Sequence, residues 1–279
     1  MSCSARRAAV ASLAVLRRSR IGLRTLAVAY VGLLAAVPLA VIVGRVVGDG
    51  WSELVDALSS PEAVTAYRLT AEVSVVAVVL NAVFGVGFAI LLTRYRVPGR
   101  RVLSALADLP VAVSPIIAGL ALVLVYGPVN GWFGAGLSDA GIKVIYALPG
   151  MILATTFVSF PLVLREVAPV LDEAGTDMEQ AAKVLGASAW QQFVRITLPT
   201  IRPALTYGLV LSLARSLGEF GAVRVVSGGI SGDGQTQTLT LLIQDKYQQL
   251  EGGTYQIALL LVVVTIAAIV AASLRKDKR

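Results

Sequence analysis

Six long apolar runs separated by short polar stretches set the plan of this chain. They lie at Leu23 to Val47, Thr70 to Leu92, Val102 to Tyr126, Ile142 to Leu164, Ala204 to Val223 and Tyr255 to Leu274. An α-helix rises about 1.5 Å per residue, so about 20 apolar residues cross a hydrocarbon core about 30 Å thick. Each run meets that length and predicts one membrane helix. The predicted fold is an all-α membrane protein, a polytopic six-helix transmembrane bundle occupying residues 23–274 as one domain. Residues 1–22 form an N-terminal tail, residues 275–279 a short C-terminal tail, and residues 166–202 a polar, helix-prone loop.

Composition agrees with the pattern. Of 279 residues, 56% are hydrophobic and 15% charged, whereas a soluble domain carries roughly 25% charged residues. The net charge of +7 reads as a topology signal and not as a nucleic-acid surface, because basic residues flank the apolar runs. The two tails and the second and fourth connections hold 18 lysines and arginines, against 5 in the alternate connections. Basic residues stay on the cytoplasmic side, so both termini and the 166–202 loop are expected there, in a multi-pass protein of a bacterial cytoplasmic membrane bathed in lipid. The N-terminal stretch has arginines on both sides of a short apolar centre and no cleavage pattern, and reads as a retained tail or interfacial helix. The single cysteine, Cys3, excludes an intramolecular disulfide, and the lack of histidine excludes histidine-based catalysis or metal ligation. No catalytic residue, metal site or bound cofactor is expected.

Within the polar loop, Thr176 and Glu179 have capping-box spacing and predict a helix start. Gly186 suits the left-handed turn that closes that helix, Ser188 with Gln191 repeats the capping signal, and Pro199 with Pro203 limits a second helix. Two short helices joined at a glycine would present Val184, Leu185, Trp190 and Phe193 to a partner's groove. The segment Gln180-Ala181-Ala182, Gly186, Ile196, Leu198, Pro199 resembles the coupling loop of permease subunits of bacterial ABC importers, with every spacing kept. Gln180 stands where that family usually has Glu, and Glu179 lies one place earlier. The resemblance implies that Glu179, Gln180, Ala181, Ala182, Gly186 and Trp190 couple the chain to a cytoplasmic ATPase. It also implies that ATP binds on two copies of that partner, since no phosphate-binding glycine loop is present here.

Two spans carry features that are costly in hydrocarbon and therefore mark a pathway or an internal joint. In the third, Asp108-Leu109-Pro110 and Ser114-Pro115 place two prolines within six residues, which predicts a kink or local unwinding. In the fifth, Arg215 lies roughly 18 Å past Pro203 on a continuous helix, near mid-membrane, with Glu219 on the same face. The pair is either an ion-pair lock or part of a pathway in which Arg215 attracts an oxyanion and Glu219 limits how tightly it is held. Ser212 and Ser216 flank that face, and Gly208, Gly218 and Gly221 permit close helix approach. Outside the spans, Gly48 to Leu69 reads as a surface-lying acidic stretch. The last connection reads as a glycine-rich strip followed by a short helix with Leu239, Leu242 and Lys246 on one face.

The run Gly218-Glu219-Phe220-Gly221 with its extension to Gly228, and the third-span run Asp108 to Leu120, resemble permeases for tetrahedral oxyanions. The flanking residues are most similar to the second of two permease subunits in sulfate/thiosulfate importers, the CysW type, which is related to the molybdate permeases. The resemblance implies a substrate pathway near Ser114, Pro115, Ser212, Arg215, Ser216 and Glu219. It further implies a homologous second permease subunit and an extracytoplasmic sulfate-binding protein as partners. A molybdate permease built from two identical chains shares nearly all these features. A proton-coupled secondary transporter using Asp108 and Glu219 is the alternative from another class, and it leaves the coupling motif without a use.

Overall fold

The computed structural model describes residues 3–228 and 236–276, with side chains described over 24–228 and 236–271. The tail residues 1–2 and 277–279 and most of the glycine-rich strip, 229–235, lie outside the described residues, as do the side chains of the arginine-rich N-terminal tail. Residues 1–54 and 55–279 form separate compact units. The first is dominated by helix α1 (Cys3–Asp49), which carries Pro38 and whose backbone runs unbroken from the predicted tail into the first apolar run.

The second unit holds the remaining runs, and every described element in it is helical. After α2 (Trp51–Ser59), α3 (Pro61–Arg94) begins nine residues before the apolar run does, because Ser60 caps it through the Ala63 N–H (3.3 Å) and Pro61 occupies its first turn. The third run splits into α4 (Arg100–Ala112) and α5 (Pro115–Tyr126), bent by 112°. Val113 and Ser114 between them are extended, because the Pro115 ring disfavours helical backbone at the residue before it. The break is far sharper than a proline kink. A short α6 (Gly134–Asp139) follows, then α7 (Leu148–Ala174), which starts later and ends later than its apolar run.

The polar loop contains α8 (Asp177–Val184) and α9 (Ala189–Gln192). A π-helical segment (Phe193–Thr197) then leads without interruption into α10 (Leu198–Leu217). The chain closes with α11 (Gly221–Ser227), α12 (Leu239–Gln249) and α13 (Thr254–Lys276). Helices α3, α7 and α10 form the centre. Val163 on α7 is wholly buried between two glycines: a Cβ on Gly85 of α3 would lie 2.9 Å from the Val163 side chain, and one on Gly208 of α10 would lie 3.1 Å from its Cα. Without a hydrophobic drive between helices inside lipid, such close backbone approach supplies the packing attraction. Buried Leu164, Val167, Leu171 and Ile201 extend this core toward the polar loop, and Met151, Ala154, Val158, Val223 and Val226 extend it the other way.

Candidate translocation and coupling sites

The fifth run is not one helix. Helix α10 ends at Leu217, so Arg215 sits in its last turn and not midway along a continuous span, and Gly218 closes the helix. Three residues later, at Gly221, α11 begins. Arg215 and Glu219 do meet, with Nη1 and Oε2 2.7 Å apart, but across this break. The Glu219 side chain is almost wholly buried, and its Oε1 accepts from the Ala222 N–H of α11 (3.0 Å). Each charge thus faces the helix end whose dipole it complements, cation at a C-terminus and anion at an N-terminus. The Glu219 carbonyl in turn accepts from the Thr240 hydroxyl (2.7 Å), and the Leu239 N–H at the start of α12 donates to Thr70 of α3 (2.8 Å). Glu219 is thus held by Ala222 and Thr240 as well as by Arg215, while Arg215 keeps 37% of its side chain exposed.

The break in the third run lies against the break in the fifth. A Cβ on Gly221 would sit 3.1 Å from Cβ of Pro115, and one on Gly119 would sit 2.7 Å from the Ala222 carbonyl oxygen. Helices α5 and α11 thus touch through their backbones, and Ser114 at the head of α5 is exposed beside that contact. Of the expected small residues, Gly208 and Gly221 serve close approach; Gly218 instead ends a helix. Asp108 on α4 pairs with Arg165 of α7 at 2.9 Å, both about half exposed.

Ser212 and Ser216 point into the protein. Asn81 of α3, fully buried, donates from Nδ2 to Ser212 Oγ (3.0 Å) and to Ser159 Oγ of α7 (2.7 Å). Ser159 donates to the Thr155 carbonyl (2.6 Å), and Ser216 donates to Ser159 (3.4 Å). Three helices are joined by this polar seam. Sequence reading missed Asn81, although an amide inside a 23-residue apolar run was a visible signal. It also missed Arg224, which pairs with Asp245 of α12 at 3.1 Å, while Gln237 donates to the other carboxylate oxygen (2.9 Å). The predicted amphipathic helix is present as α12, with Leu239 and Leu242 buried against Ala63, Ala66 and Ile257. Lys246 there contacts Glu251 (3.0 Å) and Glu62 (3.4 Å). Partial burial draws its ammonium pKa down, and the two carboxylates outweigh burial, leaving it above the ordinary 10.5.

The polar loop forms the expected helix pair. Gly186 takes φ +86° with open space around it, and Ser188 with Gln191 forms the full reciprocal capping box. Val184, Leu185 and Trp190 are exposed, whereas Phe193 stacks beside Trp190 (ring centroids 5.7 Å) and packs on the α3–α7–α10 core. Two expectations fail. Thr176 makes no cap to the helix backbone; its hydroxyl accepts from the Gln180 side chain (2.7 Å), because Glu179 is turned away to Arg94 (2.8 Å) and Thr197 (2.9 Å). Nor do Pro199 and Pro203 stop the second helix. Helical backbone runs on from Ala189 to Leu217, and Pro199 directly follows the π-helical turn Phe193–Thr197, the kind of local widening at which a helix takes up an interrupted i→i−4 ladder. Gln180 and Ala181 are exposed and Ala182 is half-buried.

Comparison with known proteins places this arrangement. Residues 81–276 match the family described as "Binding-protein-dependent transport system inner membrane component". The sulfate transport system permease protein CysW of Synechococcus elongatus is 46% identical over 242 residues, covering 86% of this chain and 84% of its own. CysW of Escherichia coli K12 is 42% identical over 231 residues (82% and 78% covered), and CysT of the same strain is 41% identical over 222 (80% and 79%). Among solved structures, a bacterial ABC transporter that imports the acidic polysaccharide alginate covers 95% of this chain and 98% of its own with a TM-score of 0.75. At 18% identity, that is a likeness of fold.

Proposed function

This chain belongs to the family of binding-protein-dependent transport system inner membrane components, and from that membership we propose that it is one permease subunit of an ATP-driven sulfate importer. The observation that carries the substrate is its identity of 41% to 46% with permeases named for sulfate transport, in both the CysW and the CysT kinds. Two kinds of relative favour a pathway shared between this chain and a homologous second permease over a molybdate permease of two identical chains. Thiosulfate, a tetrahedral dianion of similar size, is the expected second substrate.

In this reading both termini and the loop bearing α8 and α9 are cytoplasmic, and the exposed Val184, Leu185 and Trp190 dock on an ATPase chain present in two copies. ATP binds and is hydrolysed there. An extracytoplasmic binding protein delivers the anion to the outer side. The anion crosses near the facing breaks, where Ser114 is exposed and Arg215 keeps part of its side chain exposed. Glu219 offsets the charge of Arg215, which matters because a dianion that has lost its water must be held and then released. The half-helix ends and the Ser114 hydroxyl give it moderate donors in place of one deep cationic trap. The test is uptake of labelled sulfate in cells lacking this chain and in cells with it restored, with thiosulfate and molybdate as competitors. Restored ATP-dependent sulfate uptake, competed by thiosulfate and weakly by molybdate, is the expected result. Normal sulfate uptake with a molybdate defect would overturn the substrate.

A further inference from the structure

One charged pair ties the α8–α9 handle to the bundle. Arg94 is the last residue of α3, and its guanidinium reaches two other elements at once. Its Nη1 donates to the Leu171 carbonyl on α7 (2.9 Å), and its Nε lies 2.8 Å from Oε2 of Glu179 in the first turn of α8. The second oxygen of that carboxylate accepts from Thr197, the last residue of the π segment (2.9 Å). The side chains of Arg94 and Glu179 are only 11% and 18% exposed, and Leu171 and Thr197 are buried. Four segments therefore converge on one ion pair: the end of α3, the end of α7, the start of the handle and the root of α10. Glycines with positive φ stand on both sides of α8, Gly175 (+66°) and Gly186 (+86°), so the backbone there can swivel. The contact with Glu179 is a close ion pair without an aligned Nε–H hydrogen bond, and the guanidinium's direction is set by its Nη1 bond to the Leu171 carbonyl. The partly buried setting also makes salt screen the pair much less than it would at the surface.

We propose that Arg94 and Glu179 are a positioning pair that makes the second span, α3, move with the handle, so that a push on α8 reaches α3 directly as well as α7 and α10 through the chain. Glu179 is then an internal anchor and Gln180, beside it, faces outward. This rests on the permease reading above. The test uses the complete transporter in proteoliposomes, comparing wild type with Arg94→Met, Glu179→Gln and the double variant. Each single variant loses at least about fivefold in anion moved per ATP, in the range of coupling between linked sites, while hydrolysis continues, and the double variant is no worse than either single one. Spin labels at the exposed Arg96 and Lys183 give a second readout: their distance distribution broadens in Glu179→Gln. Transport and hydrolysis falling in equal proportion would mean that the pair only holds the fold together, and an unchanged label distance would by itself overturn the proposal. If the wild-type transporter moves no sulfate, the substrate reading fails, yet the label distances still decide the clamp.

Discussion

In the handle, Gln191 caps Ser188 three positions away and Thr197 reaches Glu179 over eighteen, whereas in the polar seam Asn81 bonds to Ser159 and Ser212 across 78 and 131 positions. The handle keeps its helix ends satisfied with neighbours in the chain, so a short motif specifies it. The seam and the facing helix breaks exist only when α3, α5, α7, α10 and α11 are already assembled. Local satisfaction leaves the handle's apolar side chains exposed and available to a partner. Long-range satisfaction buries the seam's hydroxyls and leaves little of them for anything but the bundle. Arg94 and Glu179 join the two regimes, since one partner lies in the handle and the other at the end of a central helix.

The sharpest way to break this contrast is at the helix break. Glu219→Ala removes the partner of the part-exposed Arg215 and the charged acceptor for the buried Ala222 N–H together, and is expected to cost about 2–3 kcal/mol, mostly through that lost hydrogen bond. Glu219→Gln, which can keep the Ala222 bond, should retain part of that stability. Thermal unfolding of the purified protein in detergent measures both, and equal stability of Glu219→Ala and wild type would show the break to be held by something else. Next in size is Gly119→Val. The added Cβ meets the Ala222 carbonyl at 2.7 Å, so α5 and α11 must part at about 1–3 kcal/mol, again read as a lowered unfolding midpoint.

Gly186→Val is the matching change in the handle. Nothing lies within 4 Å of the new Cβ, so the cost is confined to left-handed backbone strain, about 1–2 kcal/mol. The expected signature differs from that of Gly119→Val: the midpoint falls by no more than this local strain, while fewer anions are moved per ATP. A coupling ratio equal to wild type would remove the handle role from Gly186. Asn81→Ala should lose about 1 kcal/mol, because interhelical hydrogen bonds in membranes average only about 0.6 kcal/mol each, and Ser159 keeps its bond to the Thr155 carbonyl. The smallest effect concerns Lys246. A raised pKa contributes stability that is fully present below the ordinary 10.5 and lost as pH rises through the folded value. Unfolding midpoints from pH 8 to 11.5 should therefore fall more steeply for wild type than for Lys246→Met at the top of that range.

Several misplacements share one physical cause. The apolar run from Ala204 to Val223 is continuous in composition, so it reads as one helix; the stop at Leu217 follows from Glu219 finding Ala222, Arg215 and Thr240. Thr176 and Glu179 have perfect capping spacing, and the cap is lost because a guanidinium from α3 competes better for the carboxylate. Pro199 looks like a terminator in isolation, yet the helix runs through it directly after a π-helical turn. The 112° turn at Ser114 was signalled by Pro115 in kind but not in degree.

Hydropathy, proline positions and the spacing around Gly186 determined the helical membrane fold, the six apolar runs, the break at Pro115 and the local form of the handle, because each depends on burial length or on groups a few residues apart. Only the tertiary structure decided that Ser212 and Ser216 are joined to Asn81, that the two breaks face one another, and that Glu179 belongs to Arg94. Those choices turn on which helices lie side by side, and glycines at 85, 119, 208 and 221 set that by letting backbones come close enough for short polar side chains to meet.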